Sequence, residues 1–129
     1  MKRKTYYAHA LCIYGHLHEK KELAAIRRRL KPTQIVNPAR YDDDPEKRND
    51  TLGFCFRLID KVDVLVYSKL LGKITAGVGA EVNHALKLKM PVYQLRDGKL
   101  VRQTKPVSYL SRDATISLYG EWRSKYLWS

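Results

Sequence analysis

An α/β fold, a mainly parallel sheet with helices on both faces, is what this sequence predicts, and three observations predict it. Short apolar runs such as the first half of "TYYAHALCIY" and "DVLVYS" alternate with stretches whose apolar residues recur at helical spacing. The order reads β-α-β-α-β and then adds a loop, a helix and a strand, which implies parallel strands joined by right-handed crossovers. At 129 residues the chain fits one domain, residues 1–129, able to bury a core of its own.

Each element has its own justification. The first strand starts near Thr5, in an aromatic and apolar run suited to a buried position. After Gly15, "HLHEKKELAAIRRRLK" sets Leu23, Ile26 and Leu30 on one helical face, with acids early and arginines late, as the helix dipole prefers. Pro32 ends that helix, "TQIVNP" supplies a short second strand, and "ARYDDDPEKRND" reads as a polar loop. "TLGFCFRLIDKV" aligns Leu52, Cys55 or Phe56, and Ile59 as a helix, and Val64 to Tyr67 form the third strand. "LLGKITAG" is a loop, "VGAEVNHALKLK" a helix with Val78, Val82, Ala85 and Leu86 turned inward, and "PVYQL" a strand. Beyond the turn "RDG", "KLVRQTKPVSYL" reads as a further strand or hairpin and "DATISLYGEWRSKYLWS" as an aromatic helix and tail.

The formal charge of +12 is the main anomaly of composition, and it points to an anionic partner, nucleic acid or nucleotide, or else to a well-solvated surface. No apolar run approaches the roughly 20 residues of a membrane span, so a soluble, cytoplasmic protein is expected. Cys12 and Cys55 lack the C-x-x-C spacing and read as buried thiols.

Ligands of an open parallel sheet bind beyond the carboxyl ends of its strands, which directs attention to "SKLLGKITAGVGAE". Its small residues let a ligand approach the backbone and leave Glu81 open to it, although a carboxylate early in a helix also suits the dipole. The opening "KTYY", the Asn-Pro after strand two, the Asn-Asp before the next helix and the "G-x-G-A-E-x-x-x-A-x-x-x-x-x-P-V" segment resemble the nucleoside 2-deoxyribosyltransferase family. That family includes deoxynucleoside 5'-monophosphate N-glycosidases, and the resemblance covers roughly residues 5 to 95. It implies a flavodoxin-like, three-layer fold, and with the alternation above the expectation is four or five strands in the order 2-1-3-4-5. It also implies displacement at C1' of a 2-deoxyribosyl group by a glutamate nucleophile, which falls on Glu81. Asp50 matches the aspartate expected to protonate the leaving base, and Tyr7 the tyrosine that orients the glutamate. Substrate contacts are expected from His9, Thr75, Gly77, Gly79 and Lys73, the last with Lys69 and a helix amino end as a 5'-phosphate site. The chain departs from the family in "AHALCIYGHLH", where a glycine turn is common, and in offering Thr75 but no aspartate in "KITAGVGAE".

No cofactor or metal is expected. Asp42 to Asp44 read as a solvated acidic loop rather than a cation site, His16 and His18 lack the partners that would complete a zinc site, and Asp63 reads as structural. His84, one turn after Glu81, is placed to tune its pKa or to face solvent. Expected partners are a deoxynucleoside or deoxynucleotide substrate and a second copy of the chain, for which "EWRSKYLWS" is a contact surface unless it packs on its own domain. The rival reading is a non-catalytic nucleotide- or nucleic-acid-binding protein with the same fold, its clusters "KRK" and "RRRLK" tracking a phosphate backbone.

Overall fold

A computed structural model describes residues 2–127; Met1 and the last two residues of the aromatic tail lie outside the described residues. Five strands form one sheet in the order β2-β1-β3-β4-β5, a flavodoxin-like arrangement: β1 (Arg3–Ala8), β2 (Thr33–Val36), β3 (Val64–Tyr67), β4 (Val92–Arg96) and β5 (Lys99–Gln103). The first four run parallel, as helical crossovers require, whereas β5 pairs antiparallel with β4. The sheet is therefore mixed. The reason is local: Asp97 and Gly98 both take positive φ, 52° and 75°, the backbone of a type I′ turn, whose twist matches a two-residue hairpin.

Helices cover both faces. On one, α1 (Leu17–Arg29) buries Ala25 and Ile26 against Tyr7, Val64, Val66 and Leu95. On the other, α3 (Thr51–Ile59) and α4 (Ala76–Lys87) set Cys55, Ile59, Val82 and Ala85 against Tyr6, Leu65 and Val92. Strand β3 is buried along its whole length, which is why its sequence is a continuous apolar run rather than an alternating one. Helix α5 (Arg112–Tyr126) then packs Leu118 and Trp122 on Ala10, Ile13 and Leu70, so Trp122 of the aromatic tail belongs to this domain's own core.

Two expectations are corrected here. The polar stretch after β2 is not a plain loop: Pro38–Tyr41 form a 3-10 turn and Pro45–Asn49 a short helix, α2. Its start follows from Asp44, whose side chain accepts the Glu46 amide at 2.9 Å, followed by Pro45 at the first helical position. The helical face given to Leu52 is also wrong at that position, because Leu52 is exposed while Cys55 and Ile59 are buried.

Between β5 and α5, residues 104–111 cross over α4 as a strap. Asn83 holds it with two bonds, donating to the Val107 carbonyl at 3.0 Å and accepting its amide at 2.8 Å. The Leu110 amide reaches the Ile74 carbonyl at 3.0 Å. Between these ties, Tyr109 lies on Gly79 so closely that a Cβ there would stand 2.2 Å from the ring and 2.4 Å from Tyr109 Cβ. The clash involves the root of the side chain, which cannot swing away without moving the strap. Gly79→Ala is therefore expected to destabilise the fold by roughly 1–3 kcal/mol in urea melts. A second change, Tyr109→Gly, should recover most of the Gly79→Ala loss, and equal melts for Gly79→Ala and the unsubstituted protein would refute the close approach.

Candidate active site

A cavity of about 640 Å³ opens at the carboxyl end of the sheet, where an open α/β sheet binds its ligands. Its walls come from the segment after β1 (His9, Tyr14), from α3 (Cys55), from the start of α4 (Gly77, Glu81) and from α5 (Arg112). Exposed Leu11, Leu52, Tyr109 and Ile116 add apolar surface to its lining. A second cavity, of about 590 Å³, shares Leu52, Ala80 and Tyr109 with the first but has no carboxylate in its lining.

Glu81 is the carboxylate of the main cavity, and it is only 7% exposed. The hydroxyl of Tyr6 donates to its Oε2. Among the described residues no ion pair reaches it. Burial pushes its pKa up to about 7, against the opposing pull of hydrogen bonds from Tyr6 and Cys55 and of the Lys47 charge. The same burial, with the Glu81 charge next, raises Cys55 to about 11 and holds the Tyr6 hydroxyl firmly protonated. The arrangement is an acid near its midpoint at neutral pH, gripped by a phenol that stays a donor.

The tyrosine that bonds Glu81 is thus Tyr6 and not Tyr7. Successive side chains of a strand point to opposite faces, so of two adjacent tyrosines on β1 only one can face α4. Tyr7 faces α1, where its hydroxyl donates to Glu22 Oε1, which also accepts from Ser68 Oγ at 2.7 Å. Its ring stacks on His9 with centroids 3.7 Å apart. Burial raises the pKa of Glu22 in this pocket.

Of the other expected site residues, the cavity gathers His9, Thr75 and Gly77 and leaves out Asp50, Gly79 and Lys73. Asp50 is exposed and caps α3, its Oδ1 accepting the Gly53 amide at 3.1 Å. A general acid at Asp50 is therefore not supported by position. Gly79 makes room for Tyr109 rather than for a ligand, and Lys73 closes an exposed turn that begins at Leu70, with Lys69 exposed just before it. Thr75 is buried beside Tyr119, whereas Gly77 borders open space, and a Cβ on it would meet nothing within 4 Å.

His9 borders the cavity with both ring nitrogens engaged. Nδ1 lies 3.0 Å from the Tyr7 carbonyl, which can only accept, so Nδ1 carries a hydrogen; Nε2 lies 2.7 Å from Glu19 Oε2. A further proton must then sit between Nε2 and the carboxylate. Burial draws the imidazole's pKa down, with the Glu19 bond opposing it.

Lys47 and Arg112 stand outside the expected set. Lys47 is almost fully buried, its Nζ 2.6 Å from the Pro38 carbonyl, 2.5 Å from Asp42 Oδ1 and 5.4 Å from the centre of the Tyr14 ring. It brings a positive charge close enough to act on Glu81. In sequence it stands among charged neighbours that give no sign of burial; only the fold of the segment after β2 turns it inward. Arg112 follows a Ser111 cap at the start of α5, and nothing in its neighbours marks it as a cavity residue.

The remaining candidates have structural partners. Asp42 holds Lys47, Asp43 pairs with Arg48 at 3.0 Å, and Asp44 caps α2, so the three aspartates have separate tasks. His16 accepts the His18 amide as the cap of α1, and both rings pack on Trp122. His84 stacks on Phe56 and meets Asp60 at 2.8 Å, and Asp63 accepts the Lys4 amide at 2.9 Å. Cys55 is buried and Cys12 partly so, both free thiols.

Fold and cavity together define a flavodoxin-like α/β protein with a buried, tyrosine-held carboxylate at the carboxyl end of its sheet. No protein-family model and no curated protein matches the sequence. No helix among the described residues is long and apolar enough to cross a membrane.

Proposed function

We propose that the chain cleaves or transfers at the N-glycosidic bond of a 2'-deoxynucleoside or deoxynucleotide, with Glu81 as nucleophile, in the manner of the nucleoside 2-deoxyribosyltransferases it resembles. The observation that carries this reading is the Glu81 carboxylate, buried in the wall of a cavity large enough for a nucleotide and hydrogen-bonded by Tyr6. In its ionised form the carboxylate attacks C1', the C1'–N bond breaks, and its electron pair leaves with the base, which takes up a proton. Water or a second base then attacks C1' of the ester and frees Glu81. With Asp50 outside the cavity, the His9 nitrogens engaged, and burial holding the Tyr14 and Tyr119 hydroxyls firmly protonated, solvent in the open cavity is the proton source for the departing base. Tyr6 acts as a positioning residue, holding Oε2 so that one carboxylate lone pair stays directed at the sugar.

The test is chromatographic detection of free base from deoxynucleosides and their 5'-monophosphates. Because the attacking form is the carboxylate, kcat/KM should rise with pH on an acid limb centred near the Glu81 value of about 7. Removing the Tyr6 hydroxyl takes away a bond that lowers this pKa, so Tyr6→Phe should move the limb to higher pH, whereas Tyr7→Phe should leave it in place. A limb that follows Tyr7 instead would sink the positioning role of Tyr6. Base release that does not change between pH 5 and 8 would count against Glu81 as the titrating group.

A further inference from the structure

The amino ends of the strands, opposite the cavity, carry one exposed basic side chain per strand. Lys31 precedes β2, Arg3 begins β1, Lys61 precedes β3, Lys89 precedes β4, and Lys105 follows β5, which runs the other way. Neighbouring strands stand about 4.8 Å apart, so this row spans roughly 19 Å. Arg27, Arg28 and Arg29 end α1, which leads through Lys31 into the amino end of β2. The acids set against them are Asp60, held by His84, and Asp63, which takes the Lys4 amide.

Helix dipoles explain only a small part of this. Three helices, α1, α3 and α4, end here, and each carries about half a negative charge at its carboxyl end, ~1.5 charges in all. The five-residue row and the three arginines far exceed that, and the excess is a substantial share of the net charge of +12. A row of positive charge complements the negative charge of a phosphate backbone. One strand of a nucleic-acid duplex presents a phosphate about every 3.4 Å along its axis, so the row can face about five of them. An anionic membrane fits less well, since surface-binding helices present a broad apolar face, and the exposed large apolar residue among these basic ends is Leu88.

We propose that the amino-terminal edge of the sheet is a docking surface for a nucleic-acid phosphate backbone, read by charge without base specificity. It is separate from the cavity and does not depend on the catalytic reading. The test is fluorescence anisotropy with labelled duplex DNA and duplex RNA of about 20 base pairs, from roughly 50 to 200 mM salt. Binding should weaken steeply with salt. The fourfold variant Lys31→Gln, Lys61→Gln, Lys89→Gln, Lys105→Gln should lower the log–log slope by about 0.9 for each phosphate that is no longer neutralised. A control that removes as much charge elsewhere, Lys20→Gln, Lys21→Gln, Arg123→Gln, Lys125→Gln, should lower it far less. Equal losses in the two variants, absence of binding at the lowest salt, or tighter binding to phosphatidylserine vesicles than to either duplex would each overturn the proposal. Glu81→Gln should bind duplex as the unsubstituted protein does, so loss of base release and loss of docking are separable results.

Discussion

Replacing Glu81 with alanine is expected to abolish base release, by at least about 10⁴-fold in kcat/KM, while the protein still folds. The size follows from the role. If Glu81 forms the bond to C1', nothing else in the lining can take over, since among the described residues no second carboxylate borders the cavity. The fold should survive because the side chain already borders open space, and its loss creates no new void sealed in the core. The intermediate itself is also accessible. Incubation with a 2-fluoro-2-deoxy nucleoside or its 5'-monophosphate should leave a glycosyl mass on the peptide that contains Glu81, since fluorine slows the second displacement more than capture. Activity of Glu81→Ala within tenfold of the unsubstituted protein would end the assignment.

Glu81→Gln should make the protein more stable at neutral and alkaline pH, an outcome that a glutamate whose ionised form supports the fold would not produce. A buried carboxyl whose pKa rises from 4.5 to about 7 binds its proton more tightly in the folded chain than in the unfolded one. On this group's account, stability is greatest below pH 4.5, falls as pH climbs from 4.5 to 7, and remains reduced above 7. Two and a half pKa steps amount to about 3 kcal/mol. Glutamine keeps the shape and can still accept from Tyr6, but it never carries the charge, so the variant avoids that cost. Urea melts of both proteins from pH 4 to 8.5 should show curves that coincide at the acid end and separate by up to about 3 kcal/mol above pH 7. A Glu81→Gln protein that is less stable above pH 7 would show that the ionised carboxylate supports the fold, and would remove the case for a costly functional charge.

Much of the fold is legible in the sequence because apolar spacing carries it. Val64 to Tyr67 read as a buried strand and form one, and Val78, Val82 and Ala85 read as the inner face of a helix and are buried on α4. The hairpin after β4 is less so, because "KLVRQTKPVSYL" has strand character without showing its direction; the Asp97–Gly98 turn decides it. The segment after β2 hides its structure for a different reason. Its helix α2 is only five residues long and buries Lys47, a residue type whose sequence neighbours give no apolar period to detect.

At the site, the carboxylate is legible and its companions are not. Glu81 stands out among glycines, alanines and valines because no packing role needs it. Choosing between Tyr6 and Tyr7 requires the register of β1 against its neighbours, since one residue of slip exchanges the two faces. Asp50 before a helix is equally suited to a cap or an acid, and only its bond to Gly53 tells which it makes. Gly79 likewise looks like space for a ligand until Tyr109, thirty residues away, is seen to fill it.

By itself, then, the sequence determined the alternation of strands and helices, the end of the sheet where a ligand would bind, and the one carboxylate there that packing leaves unexplained, because each is written in local periodicity and residue chemistry. Only the tertiary structure decided which tyrosine grips that carboxylate, that Lys47 lies buried near it, that Arg112 reaches the same cavity, and that scattered lysines and arginines line up along the opposite edge. These depend on side chains far apart in sequence meeting across the sheet, and no local pattern encodes which face or which end each will reach.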